Sequence, residues 1–128
     1  MIKVLKEGLF TTIQDIGRFG YKNIGVPVSG SMDQTSAKLA NLLLGNDESS
    51  AVLEMTLVGP TLEFMNDTYI SITGADMNPS LNKQKVLQNK PLFVNKGDIL
   101  YLSHSSNGMR SYLGIKGGFN SEKNGRNR

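Results

Sequence analysis

The polar side chains best suited to chemistry lie close together near the N-terminus. Gln14, Asp15 and Arg18 fall around a turn, where a carboxylate and a guanidinium could orient a polar substrate as catalytic groups. The alternative is a local ion pair between Asp15 and Arg18 that holds the loop. Because paired charges occur at functional and at structural sites, these residues leave both interpretations open.

Two further turns carry candidate binding groups. Gly30, Ser31 and Asp33 precede a predicted helix, whose free backbone N–H groups could bind a carboxylate or a phosphate. An ordinary helix N-cap explains the same residues, since every helix needs one. Asp76, in Gly74-Ala75-Asp76, follows a predicted strand and could act in catalysis or ligand binding, although a plain turn accounts for it equally well.

The remaining polar residues are expected to be structural. Glu54 lies opposite the apolar face of an alternating strand and is predicted to be exposed to solvent. Asn41 is assigned to the polar side of the helix and Asn46 to its termination. His104 stands between two serines, but adjacency in sequence does not bring a serine and a histidine side chain into reach of each other.

The composition excludes several classes of site and of protein. With no cysteine and one histidine, disulfides and thiolate metal sites are impossible and no metal is predicted. A net charge of +3 from scattered basic residues does not indicate nucleic-acid binding. No apolar run approaches the roughly 18 residues that a membrane span needs, so a cytoplasmic protein without membrane contact is predicted.

The elements that must position these residues form one domain. A chain of 128 residues with 38% hydrophobic residues can build one core. Strands are predicted, from alternation and turn signals, at residues 2–6, 9–13, 53–57, 62–64, 69–73, 91–94, 99–103 and 110–116. Residues 78–91 are predicted to form a hairpin or an edge with Leu81, Val86 and Leu87 inward. Residues 95–98 are predicted as the turn of another hairpin.

One prominent helix is predicted at about residues 32–44. Ser31 or Asp33 can cap its start, and Gly45-Asn46 suits a left-handed cap at its end. The apolar stripe of Ala37, Ala40, Leu43 and Leu44 should be buried, widened by Leu39 and Leu42. The fold class is therefore mainly β with one helix, closed or nearly closed to protect its edges.

Four motifs, in order along the chain, carry a resemblance to a known family. GLFTTIQDIGRFGYKNIGVPVSGSMD, ANLLLGN, LEMTLVGPTLEF and SITGADM resemble the N-terminal part of the biotin-dependent carboxyltransferase family, also called the allophanate hydrolase subunit 2 family. Within it the chain is most similar to the branch that contains the C-type subunit of 5-oxoprolinase (KipA-type). The resemblance implies a cyclophilin-like β-barrel half-domain over residues 1–118, with 119–128 as a flexible polar tail.

The resemblance also implies an activity and partners. The expected role is that of a hydrolase subunit that opens the cyclic amide 5-oxoproline to glutamate with ATP. Its expected partners are a B-type subunit, which is a kinase-inhibitor-type protein, and a third oxoprolinase subunit. The ATP could be bound by the complex rather than by this chain. Alternatives are a regulatory protein that antagonises a histidine-kinase inhibitor, and the carboxyltransferase domain of a urea carboxylase-like enzyme, which alone would involve biotin.

Site residues follow from the motif and from the residues together. Gln14, Asp15, Arg18 and Asp76 are predicted to be catalytic. Substrate binding is predicted for Thr12, Gly30, Ser31 and Asp33, and a partner interface for Phe19, Tyr21, Val26 and Pro27. Family members are longer, with a second half-barrel and a GSRST-like segment soon after Gly117-Gly118. We therefore expect a truncated, frameshifted or deliberately shortened N-terminal fragment that is inactive alone.

Overall fold

The computed structural model describes residues 2–7, 9–11, 30–105 and 109–119. Its elements are β1 (Ile2–Lys6), β2 (Leu9–Thr11), α1 (Gln34–Leu43), β3 (Leu53–Val58), β4 (Thr61–Phe64), β5 (Thr68–Gly74), β6 (Ser80–Leu81), β7 (Gln84–Lys85), β8 (Leu92–Val94), β9 (Ile99–Tyr101) and β10 (Arg110–Ile115). The prediction of a mainly β fold with one helix is confirmed.

The strands form two five-stranded antiparallel sheets. Sheet A has the order β1-β4-β9-β6-β7, and sheet B has the order β2-β3-β10-β5-β8. Consecutive strands often belong to different sheets, as β3 and β4 do across Gly59-Pro60. The chain therefore crosses repeatedly between the two sheets, and both contribute to one core.

The core is formed by the apolar residues that occupy every second position of the strands. Leu53 and Met55 of β3, and Ile70 and Ile72 of β5, are buried in it. Leu62 and Phe64 of β4 contribute from sheet A, so the alternation in the sequence correctly assigns the inward faces. Phe119 packs against the same core, and its backbone N–H donates to the carbonyl of Ala51.

Capping residues determine where helix α1 begins and ends. The Asp33 side chain accepts a hydrogen bond from the Ser36 backbone N–H at 3.0 Å, which satisfies one of the free amides of the first turn. Gly45 has a φ of +73°, the left-handed conformation that a helix C-terminus often takes and that glycine adopts without strain. Both predicted ends of the helix are thus confirmed to within two residues.

Helix α1 covers β5 and β10 on the outer face of sheet B. Ser71 of β5 donates its hydroxyl to the Ala40 carbonyl at 2.7 Å, and Thr73 donates to the Ser36 carbonyl at 2.7 Å. Gly114 of β10 allows this close approach, because a Cβ there would lie 3.2 Å from the Ala40 Cβ. Strands β5 and β10 are consequently buried on both faces.

One predicted hairpin is wrong. Residues 95–98 do form a turn, with Gly97 at a φ of +93°, but the flanking strands do not pair with each other. Strand β8 pairs with β5 in sheet B, and β9 pairs with β4 and β6 in sheet A. The turn is held by β4, since the Gly97 N–H donates to the Phe64 carbonyl at 2.7 Å.

Three leucines expected in the interior are exposed. Leu39 and Leu42 lie on the solvent side of α1, with Leu42 58% exposed, and Leu87 is 66% exposed. The helix packs on one sheet only, so its buried stripe is narrow: it comprises Ala37, Ala40, Asn41 and Leu44. Asn41, predicted on the polar side, is therefore fully buried.

Candidate functional site

The ends of several sheet B strands meet beside the start of α1. Ser111, the second residue of β10, pairs with Gly74 at the end of β5. Thr11 at the end of β2 pairs with Met55 of β3. Because Thr73 holds the first turn of α1, residues 31–33 lie at this same end of the sheet. We call the group of Ser31, Asp33, Glu54, Arg110 and Tyr112 at this end the polar cluster.

Glu54 is the centre of the polar cluster. Its side chain projects from β3 on the face opposite the core, where it meets Tyr112 and the segment just before α1, and it is only 6% exposed. Oε2 accepts two hydrogen bonds, from the Tyr112 hydroxyl at 2.6 Å and from the Met32 backbone N–H at 3.0 Å. A buried carboxylate needs such donors, because burial without them is costly.

Tyr112 connects Glu54 to the helix start. Its hydroxyl donates to Glu54 and accepts a hydrogen bond from the Asp33 backbone N–H at 2.9 Å, and its side chain is fully buried. Burial raises the pKa of this phenol well above its usual value, and the hydrogen bond to Glu54 raises it further. The phenol therefore stays protonated, with its proton held by Glu54.

Arg110 lies at the solvent side of the polar cluster. Its Nε is 3.9 Å from Glu54 Oε1, and the arginine side chain is 35% exposed. At this distance the pair is an ion pair without a close hydrogen bond. The arginine thus places a partly accessible guanidinium beside a buried carboxylate, an arrangement that could orient a polar substrate with both donors and an acceptor.

Asp33 is occupied as a helix cap. Its carboxylate accepts from the Ser36 N–H and, at 2.7 Å, from the Ser36 hydroxyl. These two hydrogen bonds, the one from the N–H first, hold the pKa of Asp33 below its usual value. The amides of Met32, Asp33 and Ser36 all have partners within the protein. The described geometry is that of an ordinary N-cap, and substrate binding by Asp33 stays a prediction.

Most of the predicted site residues lie outside the described residues. These are Thr12, Gln14, Asp15, Arg18, Phe19, Tyr21, Val26 and Pro27. Of the others, Ser31 is buried and Gly30 exposed beside the polar cluster. Asp76 accepts a hydrogen bond from the Asn78 N–H at 2.7 Å, which closes a tight turn. A catalytic role for Asp76 also stays a prediction.

Sequence reasoning missed the most buried members of the polar cluster. The prediction that Glu54 is solvated is wrong, because the Tyr112 side chain and the Met32 backbone pack against it on the face of β3 opposite the core. The sequence of β10 contained a signal for this burial. Tyr112 and Gly114 lie on the face of the strand opposite to the core residue Leu113. A large aromatic residue beside a glycine on that face indicates a second packed layer.

Two other kinds of feature are absent from the described residues. No three histidine, aspartate or glutamate side chains converge there as they would to hold a metal ion. In the same part of the chain, no helix has the length and apolar character needed to cross a bilayer.

Comparison with known proteins assigns the family. Residues 24–124 match the carboxyltransferase domain family, subdomain A and B, and this range contains the polar cluster. The chain belongs to this family. The predicted resemblance to the N-terminal portion of its members is thereby confirmed.

Individual relatives come from two kinds of enzyme. Urea amidolyase of Lachancea kluyveri is 46% identical over 117 residues, which cover 91% of this chain and 6% of the relative. The C-type subunit of 5-oxoprolinase from Escherichia coli is 38% identical over 118 residues, covering 92% of this chain and 38% of the relative. The solved urea carboxylase of Kluyveromyces lactis superimposes with a TM-score of 0.77 at 45% identity, over 91% of this chain and 10% of that one. The chain thus spans well under half of each.

Proposed function

We propose that this chain is the N-terminal, carboxyltransferase-family part of the C-type subunit of a 5-oxoprolinase. With a B-type partner and a third subunit, it acts in the ATP-dependent hydrolytic opening of 5-oxoproline to glutamate. The observation that carries the proposal is the similarity to the Escherichia coli 5-oxoprolinase protein across 92% of this chain. A cytoplasmic location goes with this role.

The polar cluster supplies groups that suit such a substrate. A lactam offers one carbonyl oxygen as an acceptor and one N–H as a donor, and 5-oxoproline adds a carboxylate. The Arg110 guanidinium can donate to oxygen, and its planar fork matches a carboxylate. Water adds to the lactam carbonyl, the C–N bond breaks and the released amine takes up a proton.

ATP, when bound to the complex, would activate the lactam carbonyl for attack by water. The polar cluster does not suit a triphosphate. The cluster beside α1 contains the carboxylates of Asp33 and Glu54 against the single guanidinium of Arg110, and the amides of residues 32 and 33 already have partners. We therefore place ATP binding outside the polar cluster.

A second candidate function is carboxyl transfer from biotin to urea. It is supported by the 46% identity to urea amidolyase, which exceeds the 38% identity to the 5-oxoprolinase protein. Both candidate reactions involve a carbonyl carbon bonded to nitrogen in a small polar molecule. They differ in the second reactant, and an assay can separate them on that basis.

Reconstitution tests the proposal. The full-length protein, combined with its B-type partner and the third subunit, should release glutamate from 5-oxoproline only with ATP. Urea and carboxybiotin replace 5-oxoproline and ATP in a parallel assay. Absence of glutamate with urea carboxylation present would replace the first function by the second. A stable complex inactive in both assays would favour the regulatory alternative.

The predicted catalytic residues are tested in the same assay. Asp15→Ala and Arg18→Ala should each lower turnover by about tenfold or more, the usual effect of losing one charged group that contacts the substrate. Asp76→Ala tests the second of the two predicted catalytic carboxylates. Unchanged turnover and unchanged partner binding in the Asp15 and Arg18 variants would reject that site assignment.

A further inference from the structure

We propose that Glu54 and Tyr112 are positioning residues, which together hold the residue 31–33 segment and Arg110 in the geometry that the reaction needs. The inference rests on the proposed function, and it adds two residues to the site that were not among its predicted members. We call these two side chains and their hydrogen bonds the Glu54–Tyr112 clamp.

The clamp consists of two side chains on different strands, which hold two consecutive backbone amides. Glu54 on β3 accepts from the N–H of Met32, and Tyr112 on β10 accepts from the N–H of Asp33. The 2.6 Å hydrogen bond between the carboxylate and the phenol joins the two acceptors. The peptide between residues 32 and 33 is thus fixed relative to sheet B by side chains from neighbouring strands.

The same carboxylate also determines where Arg110 lies. Glu54 Oε2 is occupied by the two donors of the clamp, and Oε1 is the oxygen that faces Arg110 Nε at 3.9 Å. Rotation of the carboxylate would break the hydrogen bonds from Tyr112 and Met32, so these two donors contribute to the orientation of Oε1. Arg110 consequently has a defined counter-ion on its buried side.

Tyr112 itself cannot contact a substrate or exchange its proton with one. Its side chain is fully buried, its proton is donated to Glu54, and the hydroxyl oxygen already accepts from Asp33. Its contribution to a reaction must pass through the groups that it holds. Replacing it should therefore alter the site without removing a group that contacts the substrate.

The central experiment compares Tyr112→Phe with Tyr101→Phe in the full-length protein and its complex. Tyr101 is a half-exposed tyrosine on β9 in sheet A and is the matched control. In Tyr112→Phe, hydrogen exchange at the amides of residues 32 and 33 should accelerate about tenfold or more, because the Asp33 amide loses its acceptor and Glu54 loses a donor that orients it. Turnover, measured well below the melting temperature, should fall about tenfold, as expected when a group that contacts the substrate is misplaced.

A second pair of variants separates positioning from loss of stability. Glu54→Gln keeps one acceptor oxygen for the Met32 amide and the phenol, whereas Glu54→Leu removes both oxygens. Glu54→Gln should retain several times more turnover than Glu54→Leu when both are fully folded. Glu63→Gln on β4 is the matched control, with turnover equal to that of the unaltered protein.

The outcomes separate this inference from the function on which it rests. Fast exchange at residues 32 and 33 together with unchanged turnover in Tyr112→Phe would overturn the positioning role, and so would unchanged exchange. If the unaltered complex makes no glutamate from 5-oxoproline, the proposed function fails, and the role of the clamp in that reaction fails with it. Faster exchange in the variant would then still establish the clamp as a structural contact.

Discussion

Polar side chains hold both ends of α1, but with different chemistry. At the C-terminal end the buried and half-buried side chains are amides, and the exposed Lys116 donates to the Leu44 carbonyl at 2.8 Å. Asn41 donates to the carbonyls of Glu48 and Ser50, and Asn46 donates to the carbonyl of Ile115. At the N-terminal end the equivalent contacts are made by the ionisable Glu54 and Tyr112, with Arg110 beside them.

This difference in side-chain chemistry distinguishes the C-terminal end of α1, where the contacts are structural, from the N-terminal end, which is the candidate functional site. Neutral amides satisfy backbone carbonyls without placing a charge in the interior, so they stabilise a helix end at low cost. Ionisable side chains could be replaced by amides if they served only to hold the helix. A buried carboxylate and phenol with a guanidinium beside them make the N-terminal end the candidate site, although such groupings also occur in structural networks.

The largest effect expected from this comparison is at the amide end. Asn41→Ala should lower the free energy of unfolding by about 3 kcal/mol, because two carbonyls lose their donor in a fully buried position. Chemical denaturation measures this loss, with the exposed Asn95→Ala as control. Turnover per folded molecule should not change, and a loss of turnover as large as that in Tyr112→Phe would contradict the comparison.

An intermediate effect on the free energy of unfolding is expected from substituting two glycines, one near each end of α1. Gly74 has a φ of +84°, and a Cβ there would lie 2.6 Å from the Arg110 carbonyl oxygen; Gly117 has a φ of +89° with no atom within 4 Å. Gly117→Ala should cost about 1 kcal/mol from backbone strain alone. Gly74→Ala should cost about 2 kcal/mol or more, because the close contact adds to the strain. Equal melting temperatures would show that the Arg110 end tolerates displacement.

The smallest effect is expected at the helix cap. Asp33→Ala should destabilise the protein by about 1 kcal/mol, whereas Asp33→Asn, which can still cap, should cost a few tenths at most. Thermal unfolding of the three proteins at neutral pH tests this. A cost in Asp33→Asn as large as that in Asp33→Ala would show that the charge matters beyond capping.

The pH dependence of the Asp33 cap has a definite sign. Its hydrogen bonds to Ser36 lower the pKa below the usual 3.8, so the folded state favours the ionised carboxylate. This contribution to stability is present above pH 3.8 and is lost as the pH falls through the lowered pKa. The stability difference between the unaltered protein and Asp33→Ala should therefore shrink below that pH.

Much of the fold could be predicted because it depends on local pattern. Alternation placed Leu53 and Met55 in the core, and the caps at Asp33 and Gly45 set the ends of α1. The pairing of β8 and β9 could not be predicted in this way. A turn sequence such as 95–98 reverses the chain equally well within a sheet and between two sheets.

By itself the sequence determined which face of each strand enters the core, where the helix begins and ends, and, through its motifs, the family. Only the tertiary structure decided that the opposite face of sheet B is also covered. Because side chains alternate along a strand, the sequence shows that Glu54 and Tyr112 lie on the face of sheet B that points away from the core. Whether that face meets water or protein depends on where α1 and the residues before it pack. The pairing of β3 with β10 places Glu54 opposite Tyr112, 58 positions away in the sequence.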